Sequence, residues 1–147
     1  MTNFFSNQNV VVTGGAGFLG KRVVAKLAER GAKLVVVPRS ASCDLTNWEQ
    51  ARSFFKQHKP DTVIHLAGKV AGIGGTSENP AGSFRDNLMM GVHVIDACRE
   101  IGVGKLVLLG TVCSYPKHCP VPGKESDRKS TRLNSSHIPL SRMPSSA

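Results

Sequence analysis

The sequence of 147 residues lacks the long apolar run of a membrane-spanning helix, since no stretch approaches about 18 consecutive apolar residues. It also lacks a basic segment followed by an apolar one at its start, so we expect no secretory leader and a cytosolic protein. The four cysteines form no Cys-x-x-Cys pair and do not have zinc-site spacing. We therefore predict neither a disulfide framework nor a metal site.

Acidic residues are the scarcer charge, with 10 Asp plus Glu against 19 Lys plus Arg and a net charge of +9. Residues 128–147 hold four of the basic residues and no acidic one, so residues 1–127 carry 15 − 10 = +5. This excess suits a ligand that bears phosphate. Aromatic residues make up only 5% of the chain, and no basic helix or stacking platform is evident. Nucleic acid is therefore not expected as a partner.

Four short apolar runs stand out along the chain. They are nearly continuous rather than alternating, which is typical of strands that are buried on both faces of a parallel sheet. Helical patterns separate them, so the sequence predicts a doubly wound α/β sheet of the Rossmann type. The runs are Val10–Val12, Leu34–Val37, Thr62–Leu66 and Leu106–Leu109.

Three helices are predicted between these strands. The first spans about 17–30 and ends at a glycine, and the second starts at Thr46, where Thr46-x-x-Glu49 fits a capping box. The third begins near Asn79, with proline at its first position, and ends near residue 102. Apolar residues recur along one side of this third helix, namely Phe84, Leu88, Val92, Ile95 and Cys98.

A glycine-rich stretch, Val12-Thr13-Gly14-Gly15-Ala16-Gly17-Phe18-Leu19-Gly20, follows the first strand and opens the first helix. Gly14 permits the tight turn, Gly17 lets the backbone approach a pyrophosphate, and Gly20 lets the helix pack closely on the sheet. The amides at the helix start then face the phosphates. We predict a dinucleotide cofactor that contacts Gly14, Gly15, Ala16, Gly17, Phe18, Leu19 and Gly20.

The end of the second strand indicates which dinucleotide is bound. An NAD site usually has an acid there, whereas this chain has Val37-Pro38-Arg39-Ser40. Arg39 can pair with a 2′-phosphate, which favours NADP(H), although it could also be a solvated loop charge. Asp44 could accept from the adenine amino group or could equally cap the turn before the second helix.

Several stretches resemble the extended short-chain dehydrogenases/reductases, and among these the GDP-L-fucose synthase family. The likeness covers about residues 8–127, and its most specific part is Gly110-Thr111-Val112-Cys113-Ser114-Tyr115-Pro116-Lys117. The other stretches are Pro38-Arg39-Ser40, Cys43-Asp44-Leu45, His65-Leu66-Ala67-Gly68-Lys69-Val70, Gly72-Ile73-Gly74 and Asp86-Asn87-Leu88-Met89-Met90-Gly91.

This resemblance implies an NADPH-dependent homodimer acting on a GDP-sugar. Such enzymes epimerise GDP-4-keto-6-deoxymannose at C3 and C5 and then reduce C4. The family's proton-exchanging Cys maps to Cys113, and its ketone-binding Ser maps to Thr111, a mild departure. The resemblance also implies cofactor contacts at the ends of the third and fourth strands, at Leu66, Ala67, Gly68, Leu109 and Gly110. His65 is expected to be a packed core histidine.

The C-terminal part departs from this pattern. Residues 128–147 contain six Ser and no helix or strand period, and they resemble a translated sequencing adapter. We therefore expect a Rossmann domain over 1–127 and a disordered tail over 128–147. The family's Tyr-x-x-x-Lys pair is missing, because Cys119 stands four residues after Tyr115. The chain alone should thus be inactive. The alternatives are an NAD-using nucleotide-sugar epimerase or 4,6-dehydratase and a non-catalytic dinucleotide-binding module.

Overall fold

The computed structural model describes residues 4–70 and 78–110, together with Tyr115, Pro122 and Lys124. Contacts divide the chain into two units, Met1–Leu109 and Gly110–Ala147. The strands and helices described below all belong to the first unit. The predicted boundary after residue 127 lies outside the described residues.

In the part of the chain that the structure describes, four parallel strands form one sheet in the order β2-β1-β3-β4. The central strand β1 pairs with β2 and β3 at the same point, where Val11 lies opposite Val36 and Val63. The predicted parallel α/β sheet is confirmed, because β1 and β3 flank a reversal of strand order that is characteristic of doubly wound folds. The strands are β1 (Asn9–Thr13), β2 (Leu34–Val36), β3 (Thr62–His65) and β4 (Lys105–Leu108).

The strands differ in how far they are buried. Val10, Val11 and Val12 of β1 are at most 1% exposed. By contrast, Leu34 of β2 is 48% exposed and Leu108 of β4 is 47% exposed. The expectation of burial on both faces therefore holds for β1 and fails in part for the two outer strands. Each of those strands has a neighbour on one side only in the described sheet.

Within the described residues, three helices cover the two faces of the sheet: α1 (Phe18–Glu29), α2 (Trp48–His58) and α3 (Pro80–Ile101). Successive side chains of β1 point to opposite faces, so Val10 and Val12 pack with Leu27 of α1. Val11 packs on the other face with Phe55 of α2 and with α3. None of the helices described here is long and apolar enough to cross a membrane.

The start of α2 differs from the predicted capping box. Asn47, not Thr46, is the N-cap, and its Oδ1 accepts the backbone N–H of Gln50 at 3.1 Å. The Thr46 N–H, which Glu49 would accept in a capping box, donates instead to Asp44 Oδ1 at 2.9 Å, and the Thr46 hydroxyl donates to the same oxygen at 2.7 Å. The helix therefore begins later than Thr46-x-x-Glu49 indicates.

The third helix begins and ends where the sequence predicts. The Asn79 side chain caps it by accepting the Gly82 N–H at 2.9 Å, Pro80 occupies the first turn, and Gly102 ends it at a φ of 72°. Glycine is favoured at Gly102 because this left-handed conformation is strained for other residues.

The five apolar residues that recur along one side of α3 are mostly exposed. Cys98 is buried, whereas the other four are 40 to 70% exposed. Apolar residues occupy more than one face of this helix, so its pattern alone does not show which face packs on the sheet. The exposed residues are Phe84, Leu88, Val92 and Ile95, and the buried ones include Met90, Val94, Ala97 and Cys98.

Candidate dinucleotide-binding site

The glycine loop leaves the carboxyl end of β1 through a tight turn. Gly14 adopts a φ of 70°, and the Gly17 N–H donates to the Gly14 carbonyl oxygen at 2.9 Å. A Cβ on Gly14 would lie 2.7 Å from the backbone nitrogen of Ala67. Glycine is therefore required here both by the backbone conformation and by the close approach of the chain that follows β3.

Gly20 lies inside the first turn of α1 and packs directly on the loop. A Cβ at this position would overlap the Gly14 carbonyl oxygen and lie 2.5 Å from Gly15 Cα. Gly17 is different, because a Cβ there would meet only the Gly14 carbonyl oxygen, at 3.2 Å. Gly20 thus sets the packing of the helix against the loop, while Gly17 keeps the outer surface of the loop open.

The N-terminus of α1 carries no internal cap. Gly17 is the N-cap and offers no side-chain hydrogen bond, and the first turn contains no acidic residue. The first amides of an α-helix have no intrahelical acceptor, and the helix dipole adds a partial positive charge there. This end of α1 is consequently suited to an anionic group such as a diphosphate.

A cavity of about 600 Å³ opens beside the glycine loop. Its wall comes from the loop, from the chain after β2, from the chain after β3 and from one residue of α3. The lining residues are Gly14, Ala16, Gly17, Pro38, Arg39, Ser40, Cys43, Asp44, Leu45, Thr46, Leu66, Ala67, Gly68, Lys69 and Met90.

Two charged residues of opposite sign line this cavity after β2. The Arg39 carbonyl oxygen accepts the Ser42 and Cys43 N–H groups at 2.9 and 2.8 Å, which anchors the turn while the side chain stays exposed. Hydrogen bonds from the Thr46 hydroxyl and backbone lower the pKa of the Asp44 carboxyl. Both bonds use Oδ1, so Asp44 stabilises the turn before α2 and still faces the cavity.

A buried polar contact joins the ends of β1 and β3 close to the glycine loop. Thr13 Oγ1 lies 2.6 Å from His65 Nδ1 and also accepts the Ala67 N–H at 3.3 Å. Burial lowers the pKa of the His65 side chain. His65 thus has the environment of a packed core histidine, and its contact helps to hold the end of β3 beside the glycine loop.

The structure brings most of the predicted cofactor residues together. Gly15 and Gly20 are buried behind the loop, whereas Phe18 and Leu19 expose their side chains on the first turn of α1. Leu109 follows β4 and donates its N–H to the His65 carbonyl oxygen at 3.3 Å, away from the cavity lining. The predicted residues that line the cavity are Gly14, Ala16, Gly17, Arg39, Asp44, Leu66, Ala67 and Gly68.

The remaining predicted site residues follow β4 in the chain. Gly110 is exposed and begins the second unit. Thr111 and Cys113, the predicted catalytic residues, lie outside the described residues.

Seven residues of the cavity wall were not among the predicted site residues, namely Pro38, Ser40, Cys43, Leu45, Thr46, Lys69 and Met90. Cys43 is buried. Desolvation raises the pKa of its thiol, and the negative charge of Asp44 raises it further. Met90 reaches the cavity from α3. The position of Cys43 next to Asp44 was a usable signal, whereas nothing in the local sequence distinguishes Met90 from other core residues.

The parallel sheet, the glycine loop at the end of its central strand and the uncapped helix beside a cavity define a dinucleotide-binding α/β domain. Residues 10–137 match the NAD dependent epimerase/dehydratase family, and the chain belongs to this family.

Two known proteins that resemble the chain are named as synthases of GDP-sugars. GDP-L-fucose synthase 1 of Arabidopsis thaliana is 41% identical over 117 residues, which is 80% of this chain and 36% of that protein. GDP-L-colitose synthase of Yersinia pseudotuberculosis is 33% identical over 110 residues, or 75% of this chain and 35% of that protein.

A similar solved structure is the GDP-mannoheptose C4 reductase of Campylobacter jejuni with NADP bound. It superposes with a TM-score of 0.77 at 29% identity, over 84% of this chain and 39% of that chain. The present chain thus spans little more than a third of the length of these relatives.

Proposed function

We propose that this chain is the N-terminal, NADP(H)-binding part of a nucleotide-sugar epimerase-reductase that converts GDP-4-keto-6-deoxymannose to GDP-L-fucose. The observation that carries the proposal is the placement of Arg39 in the same cavity as the glycine loop. The similarity to GDP-L-fucose synthase 1 supports the choice of sugar, and the NADP-bound reductase supports the choice of cofactor.

The chain's own groups divide the binding of the cofactor among them. The amides at the start of α1 bind the diphosphate, since no side chain caps them. Arg39 pairs with the 2′-phosphate, because no described carboxylate forms an ion pair with it and a guanidinium can bind phosphate in a bidentate manner. Asp44 accepts from the adenine amino group through the oxygen that Thr46 does not use.

The chemical steps fall to residues outside the described ones. When bound, NADPH supplies the hydride that reduces the sugar at C4. Cys113 exchanges the protons at C3 and C5, as a thiol of suitable pKa can do, and the Thr111 hydroxyl donates to the ketone oxygen. These roles come from the family resemblance. Because the chain has no Tyr-x-x-x-Lys pair, we expect it to bind cofactor without turning over substrate.

The proposal extends to partners and location. We propose that the complete enzyme is a cytosolic homodimer that uses a GDP-sugar and binds neither nucleic acid nor membrane. The apolar residues Phe84 and Leu88, exposed on α3, are compatible with an interface between two copies. Sedimentation of the complete enzyme as a dimer would support this part, and a monomer would contradict it.

Isothermal titration with NADPH and NADH tests the cofactor assignment. We expect tighter binding of NADPH, and in Arg39→Ala a loss of about tenfold or more for NADPH but less than twofold for NADH. The matched control is Arg22→Ala, since Arg22 is also exposed but lines a different cavity. Equal affinities for the two cofactors in the unchanged chain would contradict the proposal and favour an NAD-using epimerase or dehydratase.

A further inference from the structure

The side chain of Asn87 joins α3 to the wall segment, which we define as residues 66–69 after β3. The Lys69 N–H donates to Asn87 Oδ1 at 2.7 Å, and Asn87 Nδ2 donates to the Lys69 carbonyl oxygen at 3.1 Å. The same Nδ2 donates to the Ser83 carbonyl oxygen at 2.9 Å, one turn earlier on α3. All three hydrogen bonds therefore go to the main chain.

These contacts use the amide of Asn87 in one orientation only. Its oxygen accepts once, and its two N–H groups donate to two different carbonyl oxygens. Rotating the amide by half a turn would place donor against donor at the Lys69 N–H and acceptor against acceptor at the carbonyls. Through Asn87, α3 thus fixes both the distance and the orientation of the wall segment.

The segment that Asn87 holds is part of the cavity and touches the glycine loop. Leu66, Ala67, Gly68 and Lys69 all line the cavity, whereas Asn87 does not. The main chain at Leu66 and Ala67 lies so close to Gly14 that no Cβ would fit between them. A shift of the wall segment therefore moves both a cavity wall and the neighbour of the phosphate turn.

A second tie between the wall segment and α3 is weaker. Lys69 Nζ lies 2.6 Å from Asp86 Oδ2, but the lysine side chain is 61% exposed and Asp86 also pairs with Arg85. Exposed ion pairs contribute little because water and salt screen them. Asn87 is the stronger of the two connections, since its bonds fix the backbone itself.

We propose that Asn87 is a positioning residue, which holds the wall segment in register with the glycine loop so that the preformed cavity accepts the dinucleotide. Asn87 acts through the backbone of Lys69 and does not line the cavity. This inference rests on the proposed cofactor function. It goes beyond that function by assigning part of the binding affinity to a side chain on α3.

The test compares Asn87→Leu, a neutral replacement of similar size, and Asn87→Ala with the unchanged chain. Isothermal titration should show about tenfold weaker NADPH binding in both variants, as expected for the loss of backbone-fixing hydrogen bonds. Asp86→Asn is the matched control, because it removes the ion pairs and keeps the Asn87 contacts, and its affinity should stay within twofold. Circular dichroism selects a temperature at which every variant is folded.

Hydrogen exchange of individual amides shows whether the effect of each variant is confined to the wall segment. The Lys69 amide should exchange at least about tenfold faster in both Asn87 variants, while the amides of β1 and α2 keep their rates. Unchanged exchange at Lys69, or NADPH binding within twofold of the unchanged chain, would overturn the inference. If the unchanged chain does not bind NADPH, the proposed function fails, and exchange at Lys69 still decides whether Asn87 positions the wall segment.

Discussion

The N-terminus of α1 differs from those of α2 and α3 in how its amides are satisfied. Asn47 and Asn79 cap the latter two helices by accepting backbone N–H groups of their first turns. The N-cap of α1 is Gly17, which has no side chain to do so. Asparagine side chains thus cap α2 and α3, whereas the N-terminus of α1 stays uncapped at the edge of the cavity. A helix end without a cap is less stable, so the difference indicates an end reserved for a ligand.

The largest effect is expected from Gly20→Ala, which would close the gap between α1 and the loop. The added methyl group would overlap the Gly14 carbonyl oxygen, and neither backbone can move without disturbing the sheet. We expect the free energy of unfolding, measured with urea, to fall by about 3 kcal/mol or more.

Gly91→Ala is the control for this change, because a Cβ at Gly91 in α3 meets nothing within 4 Å. It should raise stability by about 0.5–1 kcal/mol, as alanine is favoured over glycine inside a helix. Similar losses in Gly20→Ala and Gly91→Ala would show that close packing of α1 on the loop is not what requires glycine.

Gly17→Asp is expected to have a smaller effect. It should not lower stability, but it should weaken NADPH binding. The backbone at Gly17 is extended, with φ −74° and ψ −179°, so an aspartate can cap α1. The cap should leave stability unchanged or raise it by up to about 1 kcal/mol. The carboxylate would occupy the amides and repel the diphosphate, so titration should show NADPH binding weakened about 100-fold.

Asn47→Asp controls for the added charge, because it places a carboxylate on the internally capped α2. Its NADPH affinity should remain within twofold of the unchanged chain. A Gly17→Asp variant that still binds NADPH normally would refute the assignment of the α1 amides to the diphosphate.

Asn47→Ala should have a more modest effect, on stability alone. Loss of the side-chain acceptor for the Gln50 N–H typically costs about 1 kcal/mol, which urea unfolding can measure. The NADPH affinity should not change, since Asn47 does not line the cavity. A loss of NADPH affinity with unchanged stability would show that Asn47 serves cofactor binding and not the capping of α2.

Mild acid is expected to have the smallest effect. Burial lowers the pKa of His65, so the unfolded chain binds its proton more readily than the folded one. The resulting stability is present above the ordinary histidine pKa of about 6.5 and decreases as the pH falls below it. Thermal unfolding between about pH 7.5 and 5.5 should show this decrease, and His65→Asn should reduce it.

Glu100 does not interfere in this range, because hydrogen bonds from Arg52 and Lys56 lower its pKa to about 2. An equal pH dependence in the His65→Asn variant would show that another group is responsible.

The central features of the fold follow from local sequence patterns. The valines of β1, the glycines after it and the Asn79-Pro80 start of α3 each act through near neighbours in the chain, so they could be predicted. The cap of α2 could not be predicted in this way. Asp44 accepts the N–H and the hydroxyl of Thr46, and Asn47 becomes the N-cap instead.

The packing of α3 and the complete cavity wall depend on distant parts of the chain. Phe84 and Met90 are both apolar and lie on the same helix, yet Phe84 is 70% exposed while Met90 reaches the cavity. Cys43 lines the cavity because the turn after β2 folds back beside the chain that follows β3. Such choices between faces are made by tertiary packing and leave little trace in the local pattern.

The most direct test of the account is a titration of the nitrogen-labelled chain with NADPH, followed by NMR of its backbone amides. We expect the largest shifts at residues 15–20 and near Arg39 and Asp44, with the amides at the start of α3 unchanged as an internal comparison. Shifts confined to the capped helices, or none at saturating NADPH, would contradict the claim that the uncapped end of α1 binds the dinucleotide.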